Sequence, residues 1–170
     1  MSLDKSQLIE FLEVLGEELS REITLVAVGG TALTLLDLKS STIDVDFTIP
    51  HEDYEEFAKA EKATPHGFEI DRWEGGMVFS TMLPEDYLTN SIPLKINLEN
   101  IKLYALHPLD IVITKIGRLN DRDVPDIEIC IKKHNITKEQ IKQRASQIGL
   151  AGSEEAYDVN LQIVLNTDFN

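Results

Sequence analysis

Asp44-Val45-Asp46 sets two carboxylates at alternate positions of the apolar stretch Ile43 to Ile49, which Pro50 stops. Alternate residues of a strand face the same way, so both acids would share one face, with Cα atoms roughly 6.5–7 Å apart. Like charges at this spacing repel, and each is costly to desolvate. A divalent cation relieves both problems. Mg²⁺ usually takes one or two protein carboxylates and completes its shell with water and substrate phosphates. The alternative is an edge strand whose aspartates face solvent while Val45 and Phe47 face the core.

Just upstream, the apolar run Leu25 to Val28 ends in Gly29-Gly30-Thr31, where a strand would turn into a helix over Ala32 to Leu38. Glycines let a backbone approach a ligand closely, a helix start offers N–H groups, and the Thr31 hydroxyl could add a donor. That combination suits a phosphate. Lys39-Ser40-Ser41-Thr42 separates this turn from the aspartates. The lysine could meet a phosphate, or the segment could be a solvated turn whose hydroxyls bond nearby backbone.

Around these residues the hydrophobic pattern places the supporting elements. Leu8, Phe11, Leu12, Leu15 and Leu19 recur at three and four, which predicts an opening amphipathic helix. Ile23 to Val28 and Ile43 to Ile49 read as strands, and Glu52 to Lys62 as a surface helix. Phe68 to Trp73 alternates, with Glu69, Asp71 and Trp73 on one face. Met77 to Met82 reads as a further strand. Leu94 to Leu98 and Ile101 to Ala105, split by Glu99-Asn100, read as a hairpin. From Pro108 onward helices dominate, with starts at Pro108, at Thr137 (paired with Gln140) and at Ser153, the last burying Tyr157, Leu161, Val164 and Leu165. The expected class is α+β, a mixed sheet flanked by helices with a helical C-terminal part. Residues 1–106 would form the core and 107–170 an extension packed on it as one domain.

The order of these pieces resembles the nucleotidyltransferase superfamily of DNA polymerase beta, especially its small prokaryotic branch of minimal and abortive-infection type nucleotidyltransferases. Gly29, Gly30, Asp44 and Asp46 fall on that pattern, with Gly30-Thr31 where Gly-Ser is commoner. The resemblance implies a nucleotidyltransferase-like fold and a metal-dependent transfer of a nucleoside monophosphate from a nucleoside triphosphate to a hydroxyl acceptor. Asp44, Asp46 and a third carboxylate on a later strand would hold Mg²⁺ or Mn²⁺. Asp71 is the candidate for the third, with Glu69 competing on the same face. Gly29, Gly30 and Thr31 would line the nucleotide. Lys115, taken with Arg122-Asp123-Val124-Pro125-Asp126-Ile127, matches a lysine associated with the triphosphate in such families; an ion pair between two helices explains it equally well. RNA, a protein side chain or a small molecule could be the acceptor, and a cognate toxin or antitoxin protein a partner. The same fold retained as a non-catalytic binding or antitoxin module is the competing expectation.

Composition narrows the field. Thirty acidic residues against 16 basic ones give a net charge of −14, the wrong sign for a general nucleic-acid or anionic-membrane binder. The single Cys130 cannot close an internal disulfide. With no signal peptide and no apolar run of spanning length, a cytoplasmic protein without a membrane partner is expected.

Overall fold

A computed structural model describes residues 1–169. In chain order the first elements are β1 (Leu3–Asp4), α1 (Lys5–Glu18), β2 (Ile23–Ala27), α2 (Gly29–Leu35), β3 (Ser41–Thr42), β4 (Val45–Ile49), α3 (Tyr54–Ala63) and β5 (Ile70–Glu74). Then come β6 (Met77–Val78), β7 (Thr81–Met82), α4 (Tyr87–Asn90), β8 (Ile92–Pro93) and β9 (Ile101–Ala105). The chain finishes with α5 (Pro108–Arg118), α6 (Asp123–His134), α7 (Lys138–Ala145), β10 (Gly149–Leu150) and α8 (Glu154–Leu165). Fold class is therefore the expected mixture of a mixed sheet and helices. Two compact units divide it: Met1–Gly75 with Ser91–Ala105, and Gly76–Asn90 with Leu106 onward. The segment Gly76–Asn90, expected in the first part, belongs to the second, because β6 and β7 form a three-stranded sheet with β10.

The first unit is built on a five-stranded sheet ordered β5-β4-β2-β9-β8. β4 is interior, antiparallel to β2 and parallel to β5, so the aspartate strand is not at an edge. Every residue of β4 is buried. Val45, Phe47 and Ile49 face one side, where the Phe47 ring meets Phe57 of α3 edge-on at 5.8 Å. The same side of β5 carries Arg72, whose Nη1 pairs with Glu61 Oε1 at 2.9 Å while its guanidinium lies over the Tyr54 ring. Both partners are on α3, which thereby holds β5 against the sheet. Leu8, Phe11, Leu12 and Leu15 of α1 are buried, as their spacing predicts, and Asp4 and Gln7 close a capping box at its start. The expected strand Leu94 to Leu98 does not form: Ile92–Pro93, just before it, pairs with β9 instead, and the ladder ends where Leu94 N–H donates to Leu103 C=O.

In the second unit, Met77 to Met82 is a hairpin instead of a single strand. Phe79 sits at φ 53° and turns the chain between β6 and β7. Pro108 occupies the first turn of α5, and Thr137 with Gln140 forms the expected box at α7. Tyr157 and Asn160 of α8 donate to the carbonyls of Ile113 and Ile116 on α5. Between α5 and α6 lies a buried ion network. Lys115 Nζ is 3.1 Å from Asp123 Oδ1 and 3.0 Å from Asp126 Oδ2, and Arg118 makes two bonds to Asp123 at 2.9 and 2.6 Å. Asn120 N–H adds a further bond to Asp123 Oδ2 at 3.0 Å. Burial pushes the Asp123 carboxyl up, but the Arg118 guanidinium, the Asn120 N–H and the Lys115 ammonium outweigh it and bring it from 3.8 to about 2.

Asp123→Ala leaves two cations short of a carboxylate and is expected to cost about 3–5 kcal/mol at pH 7. Because the folded-state value lies below the ordinary one, this stabilisation is present above pH ~4 and is lost as pH falls toward 2. Denaturant unfolding should therefore show the gap between wild type and Asp123→Ala narrowing over that window. A gap independent of pH would contradict the ion-pair account.

Candidate active site

The site begins where β2 stops. β2 and β4 run as an antiparallel ladder through Val26 opposite Thr48 and Ala27 opposite Phe47, and the Val28 N–H still donates to the Asp46 carbonyl at 3.1 Å. The Val28 carbonyl no longer faces β4. It accepts from Ala32 N–H at 3.1 Å and closes the first turn of α2, which starts at Gly29, three residues earlier than the hydrophobic pattern predicts. Gly29 takes φ 54°, a conformation that side chains resist. A Cβ there would also lie 3.2 Å from Asp46 Oδ2. At Gly30 a Cβ would lie 2.6 Å from Thr42 Oγ1, with Lys39 Nζ at 3.8 Å. The glycine pair thus brings backbone against a carboxylate at one residue and against a hydroxyl and an ammonium at the next.

Asp46 and Asp71 are partners in register on the adjacent parallel strands β4 and β5. Register partners present their side chains to the same face, and Asp46 places that face beside the glycine turn. Thr48 and Trp73 form the next such pair. The opposite face, with Phe47 beside Arg72, is the one that α3 covers. Asp46 is 4% exposed whereas Asp71 is exposed, so the pair runs from interior to solvent. Glu69 is exposed and precedes β5.

Asp44 departs from its expected place. It sits in a bend at 43–44, half-buried and outside β4, instead of continuing a strand with Asp46. Two hydroxyls hold its carbonyl: Thr42 Oγ1 donates at 2.8 Å and Thr31 Oγ1 at 3.1 Å. Thr31 is fully buried and also accepts from Asp46 N–H at 2.9 Å. Its single hydroxyl hydrogen is committed to the Asp44 carbonyl, which does not fit the expected donation to a phosphate. Of the two roles open for Ser40 to Thr42, Thr42 takes the backbone-bonding one. Lys115 belongs to the second unit, where it is 2% exposed and gripped by Asp123 and Asp126; this is the interhelical ion pair, and Arg118 rather than Arg122 completes it. Among the described residues no group of three or more His, Cys, Asp and Glu side chains is arranged to hold a metal ion.

One feature escaped sequence reasoning: the use of Thr31 as a backbone partner, for which the only signal is a hydroxyl at the start of the helix.

A family model described as a nucleotidyltransferase of unknown function (DUF6036) matches residues 6–169. Neither a curated protein nor a solved structure matches the chain. The match runs through the glycine turn, Asp44, Asp46 and Asp71 and on to the last helix, and the chain belongs to this nucleotidyltransferase family.

Proposed function

We propose that the protein transfers a nucleoside monophosphate from a nucleoside triphosphate to a hydroxyl acceptor in a reaction dependent on Mg²⁺ or Mn²⁺. The observation that carries this is the register of Asp46 with Asp71, with the Asp46 carboxylate against the Gly29 turn. Hard carboxylate oxygens suit Mg²⁺, which asks for one or two of them when phosphates complete its shell. Asp46 and Asp71 would hold the ion, with Asp44 beside them. Bound there, it would offset triphosphate charge and steady the leaving pyrophosphate.

The chain's own residues have separate tasks. Gly29 and Gly30 let the triphosphate approach the backbone, and the Lys39 ammonium beside Gly30 offers it a positive charge. Asp71, exposed to solvent, takes the proton of the acceptor hydroxyl. The acceptor oxygen then bonds to the α-phosphorus, the bond to the bridging oxygen breaks, and that oxygen leaves with the electron pair as pyrophosphate. A net charge of −14 repels a long polyanion, which favours a protein hydroxyl, a small molecule or a short RNA end as acceptor. A non-catalytic nucleotide-binding module is the second reading. It draws on the commitment of the Thr31 hydroxyl to the Asp44 carbonyl and on the half-buried bend at Asp44.

Mg²⁺ with a nucleoside triphosphate should raise the melting temperature, by the equivalent of about 2.7 kcal/mol at a hundredfold excess over Kd, and chelator should remove the shift. Trp73, the single tryptophan, lies two residues from Asp71 and gives a fluorescence signal for the same titration. Asp71→Asn should leave metal-free stability within about 0.5 kcal/mol, as an exposed substitution does, and lose most of the metal-dependent shift. Equal stabilisation by nucleotide in excess chelator would contradict the carboxylate site.

A further inference from the structure

We infer that Thr31 is the positioning residue of the aspartate site: its hydroxyl stands in for the missing strand partner of Asp44 and Asp46 and thereby fixes where their carboxylates lie. In an antiparallel ladder, Asp46 would exchange two hydrogen bonds with Val28. Only one survives, Val28 N–H to Asp46 C=O, because the Val28 carbonyl is taken by Ala32 N–H at the start of α2. Asp46 N–H would then be a buried donor without a backbone acceptor, a costly state. Thr31 Oγ1 supplies the acceptor at 2.9 Å.

Two residues back, the Asp44 carbonyl also faces the side that β2 has vacated, and Thr31 donates to it at 3.1 Å. One hydroxyl therefore accepts from the Asp46 amide and donates to the Asp44 carbonyl, which a hydroxyl can do with a single atom. Thr42 backs it with a second donation to the Asp44 carbonyl at 2.8 Å. The clamp closes on both sides of Val45, so the peptides that carry the two aspartates cannot rotate independently. Position 31 thus acts through Asp44 and Asp46 and touches no substrate. The distance from Thr31 Oγ1 to the Asp46 amide ties the start of α2, and with it the glycine turn, to the carboxylate that the turn crowds.

This inference rests on the metal and nucleotide site proposed above, and the experiment separates the two. Thr31→Val keeps shape and removes the hydroxyl, whereas Thr31→Ser keeps the hydroxyl and removes the methyl. Amide hydrogen exchange at Asp46 needs no ligand. The protection of Asp46 N–H should fall at least tenfold in Thr31→Val, while amides of α1 keep theirs, and should return in Thr31→Ser. Mn²⁺ titration in the presence of a nucleoside triphosphate, read by paramagnetic resonance, should show a metal Kd at least tenfold weaker in Thr31→Val and within threefold of wild type in Thr31→Ser. Should Thr31→Val fail to fold, the pair Thr31→Ser and Thr31→Ala differs by the same oxygen and gives both readouts. Unchanged Asp46 protection in the hydroxyl-free variant, or failure of Ser to restore it, overturns the clamp. Wild type that binds no Mn²⁺ with nucleotide overturns the functional proposal and leaves the exchange result to decide the clamp. Normal metal affinity in a variant with lost Asp46 protection overturns the positioning role.

Discussion

Asp46 places a carboxylate almost wholly out of solvent on an interior strand, and the arrangement of the first unit follows from what that requires. Burial of an ionisable group is tolerated only when its surroundings are polar and its backbone is satisfied. β5 runs along one side of β4 in parallel register, which brings Asp71 beside Asp46. β2 serves the other side until Val28, and the Thr31 hydroxyl continues from there. Gly29 and Gly30 are required because the carboxylate of Asp46 and the hydroxyl of Thr42 occupy the space that their side chains would fill. Glycine turn, threonine and aspartates form one packing unit, although residues 29 and 46 are far apart in sequence.

The second unit shows the contrasting use of buried charge. Lys115 and Arg118 face Asp123 and Asp126, and Arg144 grips Asp110 through Nε and Nη2 at 2.6 and 2.9 Å. Each cation there is bonded to at least one carboxylate, with Asp123 shared by Lys115 and Arg118, the pattern of a network that ties helix to helix. Cys130 lies in the same interior, where burial pushes its thiol up to about 12 and leaves it unreactive. The aspartate face of the first unit differs in setting Asp46 beside a second acid, Asp71, with solvent on one side.

Much of the frame was legible in local pattern. The α1 stripe, the glycine turn after an apolar strand, Pro108 at a helix start, the Thr137 box and the Tyr157, Leu161 and Val164 face of α8 all depend on neighbours within a few residues. The place of Asp71 beside Asp46 was reachable from the element order of the resembled families, while strand parity alone left Glu69 on the same face. The bend at 43–44 was not, since apolar alternation continues through Ile43 while the break comes from β3 pairing with β1 and β4 pairing with β2. The hairpin at Met77 to Met82 depends on a left-handed Phe79, a residue type that gives no such signal. Thr31 was singled out, but for outward chemistry. Its partners lie across the strand junction, and the sequence carries no mark of which backbone groups α2 has left unsatisfied.

The most direct test of the central claim is to follow the label from α-³²P- and γ-³²P-labelled nucleoside triphosphates into acceptors of a cell lysate, with Mg²⁺ and wild-type protein. The account predicts that the α-label appears covalently on an acceptor while the γ-label leaves with pyrophosphate, and that Asp46→Asn abolishes the transfer. Transfer of the γ-label instead, or α-label incorporation that persists in Asp46→Asn, would contradict it.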